Sequence, residues 1–185
     1  MKQILKAIVT DILAPIRLIL HGRLHCNAAT EDYPLEEGVD KNLQLPNDKF
    51  LPIVRQVIQE GHSATIRVKG FSMRPFLETC RDKVILSKPF GIKTGDAVLA
   101  EIEKGHFVLH RIIAINGTHI TLMGDGNIQG TEACELSDIA GKVTTFIRKG
   151  KPVSVQSRRW RIYSYLWPKL LPIRPYLLFV YRSLI

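Results

Sequence analysis

The chain has 185 residues, 45% hydrophobic and 23% charged, which excludes a disordered acidic chain and a multi-span membrane protein and leaves room for one domain with tails. Three cysteines, Cys26, Cys80 and Cys134, form no C-x-x-C pair, which argues against a disulfide framework and a structural zinc site; the odd count reads as reduced thiols. The net charge of +9 is unevenly placed: residues 1–138 carry 16 basic and 17 acidic residues, whereas residues 139–185 carry 10 basic residues and no acid. The basicity therefore belongs to the C-terminal end and is not a domain-wide nucleic-acid footprint.

Residues 1–20, MKQILKAIVTDILAPIRLIL, are interrupted by Lys6, Asp11 and Arg17 and lead into no clean cleavage site, so they read neither as a cleavable signal peptide nor as a clear transmembrane span. At helical spacing Lys2, Gln3, Lys6, Thr10 and Arg17 share a narrow stripe. That predicts an amphipathic helix suited to a membrane surface, a protein groove or its own domain. Residues 21–45 have no sustained period and read as a linker. After Pro46, NDKFLPIVRQVIQEG predicts a short helix capped by Asp48, with Leu51, Val54, Val57 and Ile58 on its apolar face and Gly61 at its end.

From there the hydrophobic period becomes 2. ATIRVK (64–69), KVILS (83–87), AVLAEI (97–102), FVLHRIIAI (107–115), HITLM (119–123) and KVTTFIR (142–148) predict six short strands separated by Gly, Asn, Asp and Lys turns. The expectation is a mostly β domain over residues 46–150. Residues 151–185 read as a helical, basic and aromatic C-terminal tail. Seven of the chain's 14 aromatics fall in residues 160–185, and Pro168, Pro172 and Pro175 cut this stretch into pieces too short to span a bilayer. Trp and Tyr beside Arg and Lys favour docking on an anionic membrane surface. The competing reading is a tail that buries its aromatics against the domain. No nucleic-acid partner is expected.

Three segments carry residues suited to chemistry. GFSMRPFL (70–77) places Ser72 in a turn just after a strand, where a hydroxyl is held at a fixed angle; a plain turn serine is the bland alternative. VLHRII (108–113) places His110 on the face of Val108 and Ile112, with Arg111 on the other; a lone histidine there reads first as a core residue bonded to a backbone carbonyl. GDGN (124–127) offers Asp125 at a strand end.

The order G-x-S-M-x-P, the Gly95-Asp96 turn opening a strand, a strand bearing His110-Arg111, then GDGN, over residues 63–148, resembles the signal peptidase superfamily, which includes the LexA-like self-cleaving repressors. The resemblance implies a compact, signal-peptidase/LexA-like β-fold and a serine endopeptidase that processes signal or leader peptides. It also implies Ser72 as the nucleophile. His110 stands at the base position, as in the Ser–His branch typified by the endoplasmic-reticulum enzymes; Lys104, in the EKGH turn, would be solvated and protonated. Asp125 is the implied acid orienting His110, ahead of Asp138. Gly70 and Met73 are expected to support the nucleophile turn, with backbone N–H groups, including that of Ser72, serving an oxyanion.

No metal or organic cofactor is implied, and the partner is a peptide or protein substrate bound in extended form. Peripheral membrane association or a cytoplasmic location follows as the expectation. The rivals are a LexA-like regulator cutting its own Cys26–Thr30 segment and an inactive β-domain that binds peptide or membrane. Cys80 has no assigned role.

Overall fold

The computed structural model describes residues 47–184. The expected helix at 1–20, the linker at 21–45 and the self-cleavage segment at 26–30 lie outside the described residues. Helix α1 (Asn47–Gln59) already includes Asp48, so that residue is inside the helix and not its cap. Leu51, Val54 and Ile58 are buried at helical spacing. Gly61 leaves the helix at φ +95°, a left-handed conformation that favours glycine.

Eight strands follow: β1 (Ala64–Arg67), β2 (Lys83–Ser87), β3 (Ala97–Glu103), β4 (His106–Asn116), β5 (His119–Met123), β6 (Glu132–Glu135), β7 (Ile139–Arg148) and β8 (Lys151–Ser154). They form one sheet in the order β1-β2-β7-β3-β4-β5-β6, with β8 paired to β7. Every pairing is antiparallel. The mostly β expectation is therefore met, and β6 and β8 are additions to it. A short 3-10 turn (Leu136–Asp138) precedes β7. After β8 come α2 (Arg158–Leu166), a 3-10 segment (Pro168–Ile173) and α3 (Arg174–Ser183).

Strand alternation sends side chains to two cores. The larger holds Ile58 of α1, Leu77, Val84, Leu86, Leu99 and Phe146; the smaller holds Val98, Ala100, Ile112, Ile120, Leu122 and Ile139. A Cβ on Gly141 would stand 2.8 Å from the Ile58 Cδ1, so glycine at this point of β7 is what lets α1 lie close to the sheet.

The boundary expected near residue 150 does not separate a domain from a tail. Val153 packs against the larger core, and Trp160, Tyr163, Trp167 and Leu178 are members of it. Phe76 meets Trp160 at 4.8 Å and stacks on Tyr163 at 4.7 Å between ring centroids, and Phe146 meets Trp160 at 4.2 Å. The polar ends of these rings find partners inside, which makes their burial favourable: the Tyr163 and Tyr181 hydroxyls donate to Asp125 and Glu78, and the Trp167 indole N–H to the Asp125 carbonyl. Of the aromatics in residues 160–185, Tyr165, Tyr176 and Phe179 are exposed. Among the described residues no helix is long and apolar enough to cross a membrane.

Candidate functional site

The site is organised by one residue step in β4. His110 pairs with Val98 of the smaller core, and Arg111 with Ala97 of the larger, so the two side chains leave the sheet on opposite faces. Both are buried.

On its face, the His110 Nδ1 lies 2.8 Å from Glu132 Oε2. Glu132 starts β6 and pairs with Leu122, which in turn pairs with Ile112, so carboxylate and imidazole project from the same side of a curled sheet. In the neutral ring, a carboxylate accepting at Nδ1 puts the proton on that nitrogen and leaves Nε2 its lone pair.

Ser72 sits in the turn between β1 and β2. The Arg74 N–H donates to the Phe71 carbonyl at 3.1 Å, closing the turn, and the Arg74–Pro75 peptide is cis. The whole turn rests on GDGN: the Gly126 N–H donates to the Ser72 carbonyl at 2.6 Å. A Cβ on Gly124 would lie 2.6 Å from the Ser72 carbonyl oxygen and 3.0 Å from its Cβ, and one on Gly126 would lie 2.4 Å from the Phe71 carbonyl. Only glycines admit this approach.

Arg111 pairs with Met123, the last residue of β5, and Gly124 follows as the first residue of the GDGN turn. The Ser72 carbonyl and Cβ are thus seated against Gly124, the residue after the partner of Arg111. No hydrogen bond joins the Ser72 hydroxyl to the ring in this state.

The remaining expected residues divide by role. The Gly70 N–H donates to Thr79 Oγ1 at 3.1 Å and its φ is +91°, so Gly70 shapes the turn and is not an oxyanion donor. Met73 is buried, and its carbonyl accepts from Leu77. The N–H groups of Ser72 and Met73 donate to nothing among the described residues, which leaves two adjacent donors at the turn. Lys104 is exposed between β3 and β4.

Asp125 does not orient His110; this corrects the sequence expectation. Arg111 donates from Nε to Asp125 Oδ1 at 2.8 Å and from Nη2 to Oδ2 at 2.7 Å. The Tyr163 hydroxyl donates to Oδ2 at 2.8 Å, and the Trp167 indole to the Asp125 backbone carbonyl at 2.9 Å. Arg111 also donates to the Gly95 carbonyl at 2.9 Å and lies 4.6 Å over the Trp160 ring. Burial alone would pull the guanidinium below its ordinary range, but Asp125 and Tyr163 together outweigh it and the net shift is upward. Tyr163 is pushed well above the ordinary phenol range, by burial first and then by Asp125. This fully partnered cluster ties β4, the GDGN turn and α2 together behind Ser72.

Asp138, the alternative acid, accepts from the Glu135 N–H at 2.8 Å and belongs to the 3-10 cap after β6. Cys80 is disulfide-bonded, against the reading of reduced thiols, whereas Cys134 is a free thiol. Glu132, the carboxylate that meets His110, is the candidate residue that the sequence did not reveal. No family model matches the chain, and neither a curated protein nor a solved structure matches it.

Proposed function

We propose that the chain is a serine endopeptidase in which Ser72 attacks the peptide carbonyl, His110 acts as general base and Glu132 orients His110. The observation that carries this reading is the His110–Glu132 hydrogen bond on the face away from Arg111, together with a Ser72 turn packed on the GDGN glycines that follow β5, the strand paired with β4. The resemblance of the four ordered motifs to signal peptidases supports the same assignment.

In the reaction, the His110 Nε2 takes the Ser72 proton as Oγ bonds to the carbonyl carbon, and the unpaired Ser72 and Met73 N–H groups receive the oxyanion. The protonated ring then gives its proton to the leaving amine. Water attacks the acyl-enzyme with His110 again as base, and the carboxylic product leaves. Catalytic hydrogen bonds are often long in the unliganded state and tighten when substrate binds, so a Ser72 hydroxyl without a hydrogen bond to the ring is compatible with this assignment. The substrate is an extended peptide segment, as in the processing of a signal or leader peptide.

The test is labelling by an acylating or phosphonylating serine-hydrolase probe, followed by peptide mapping. Ser72 is the expected labelled residue, labelling is lost in Ser72→Ala, and it falls by about 10²–10⁴ in His110→Ala while Lys104→Ala is unaffected. A Lys104→Ala variant more impaired than His110→Ala refutes the proposed base. Unchanged labelling in Ser72→Ala refutes the nucleophile.

A further inference from the structure

A cleft of about 800 Å³ is bounded by the loop before β3 and by α2. Its lining includes five cations, Lys93, Lys142, Arg158, Arg161 and Lys169, and one acid, Asp96. That acid is already engaged: its Oδ2 lies 2.8 Å from the Lys142 ammonium and accepts the Lys93 N–H at 2.9 Å. Lys142 also donates to the Gly91 carbonyl at 3.1 Å, and Lys169 stands 3.7 Å over the Tyr165 ring. Lys93, Arg158 and Arg161 are exposed and make no ion pair among the described residues. Three cations thus converge on one concavity without a counter-charge, and like-charge crowding of this kind is relieved by a bound anion.

The wall beside these cations is apolar. Ile162 and Tyr165 of α2 line the cleft and are exposed, and the next two segments of the chain carry the exposed Leu171, Ile173, Tyr176 and Phe179. A soluble anion would use the cations and leave this apolar strip bare. An anionic amphiphile uses both. We infer that the cleft seats the headgroup of an anionic phospholipid in a bilayer, with Lys93, Arg158 and Arg161 around the phosphate and the Ile162–Tyr165 side against the interface. The inference concerns membrane docking and is independent of the chemistry assigned to Ser72. It also relocates the membrane contact from a free tail to a shaped site, because Trp160, Tyr163 and Trp167 are committed to the core.

The experiment is co-sedimentation of the full-length protein with vesicles of phosphatidylcholine alone or mixed with phosphatidylglycerol, together with calorimetric titration of inorganic phosphate. The cleft variant combines Lys93→Glu, Arg158→Glu and Arg161→Glu. A control of equal charge change combines Lys69→Glu, Lys104→Glu and Lys151→Glu, all exposed and outside the cleft. Thermal unfolding and the Ser72 probe reaction verify that both variants fold. The expected result is binding to the anionic vesicles only, at least about tenfold weaker in the cleft variant and within about twofold of wild type in the control. Equal loss in both variants means diffuse charge attraction and overturns the inference. Undiminished binding in the cleft variant overturns it too, as does inorganic phosphate binding as tightly as vesicles. If docking fails while probe labelling persists, the lipid site falls and the peptidase reading stands.

Discussion

His110 and Glu132 are 22 residues apart in sequence, yet the Nδ1 and Oε2 atoms meet at 2.8 Å because β5 folds β6 back over the face that carries the histidine. A carboxylate at this place fixes the tautomer that a base needs and stabilises the ring once it is protonated. Replacing Glu132 with Gln is expected to lower kcat by roughly 10- to 1,000-fold with KM nearly unchanged, as loss of an orienting acid does. Steady-state kinetics on a cognate peptide decide it. Wild-type kcat in a folded Glu132→Gln protein removes Glu132 from the mechanism.

Asp125 should behave in the opposite sense, as a stability residue. Asp125→Ala leaves the Arg111 guanidinium buried without its bidentate partner and also strips the Tyr163 hydroxyl of its acceptor. Breaking one side of a buried pair costs about 3–5 kcal/mol, and for a chain of this size each kcal/mol moves Tm by about 2–4 °C. Calorimetry should therefore record a fall of roughly 10 °C or more. A variant as stable as wild type, with only kcat reduced, would return Asp125 to a catalytic role.

The glycines of GDGN should fail for want of space. Neither is at positive φ, and the close approaches are to the backbone of Phe71 and Ser72. Gly126→Ala forces the nucleophile turn outward and removes the 2.6 Å geometry of the Gly126 N–H to the Ser72 carbonyl. Probe labelling of Ser72 should drop by about 100-fold, the scale of an Å-sized misplacement, with a smaller effect on unfolding. Gly130→Ala is the contrast, since a Cβ there meets nothing within 4 Å; its positive φ makes it a mild stability change only. Equal activity in Gly126→Ala and wild type would contradict the seating of the turn.

Cys134 offers a pH test. Burial first, and then Asp138 and Glu135, push the thiol up to about 11. Since the thiolate is the reacting form, alkylation of Cys134 by iodoacetamide near pH 8 should run at least about tenfold slower in the native protein than after denaturation, and should keep rising with pH to about 11. Mass-spectrometric mapping follows the residue directly. Equal rates in both states would mean that the β6 edge opens freely.

β2 and β5 were legible to the residue, because KVILS and HITLM alternate cleanly and end at turns. β6 was not. EACE places Glu132 on the inward face beside Cys134 and leaves the apolar Ala133 exposed, which inverts the usual alternation, and the strand is an edge paired with β5. Missing β6 meant missing Glu132. β8 was hidden by Pro152 in a four-residue edge strand. One clue to the acid was present in the sequence: His110 and Arg111 are neighbours on a strand, so a single carboxylate could not serve both faces. The C-terminal aromatics were ambiguous for a different reason. Composition cannot tell a Trp at a bilayer interface from one whose indole N–H reaches a buried carbonyl, and Trp167 is the second kind.

Removal of residues 158–185 should therefore unfold the protein, and not simply release it from a membrane. The cut takes away Trp160, Tyr163, Trp167, Leu178 and Tyr181, all buried. At about 2 kcal/mol for each side chain returned to water, the loss is on the order of 10 kcal/mol, comparable with the whole ~5–15 kcal/mol that holds a typical domain folded. The same cut removes two partners of Asp125, the Ser164 hydroxyl that accepts from Arg111, and the Tyr181 hydroxyl from Glu78. Buried charges would then face water or each other. The truncated chain should show no cooperative thermal transition and no probe labelling at Ser72. Tyr176→Ser and Phe179→Ser are the controls, because both side chains are exposed and surface changes shift stability by only about 0.5 kcal/mol. A truncated protein that unfolds cooperatively at the wild-type temperature would restore residues 158–185 to the status of a tail.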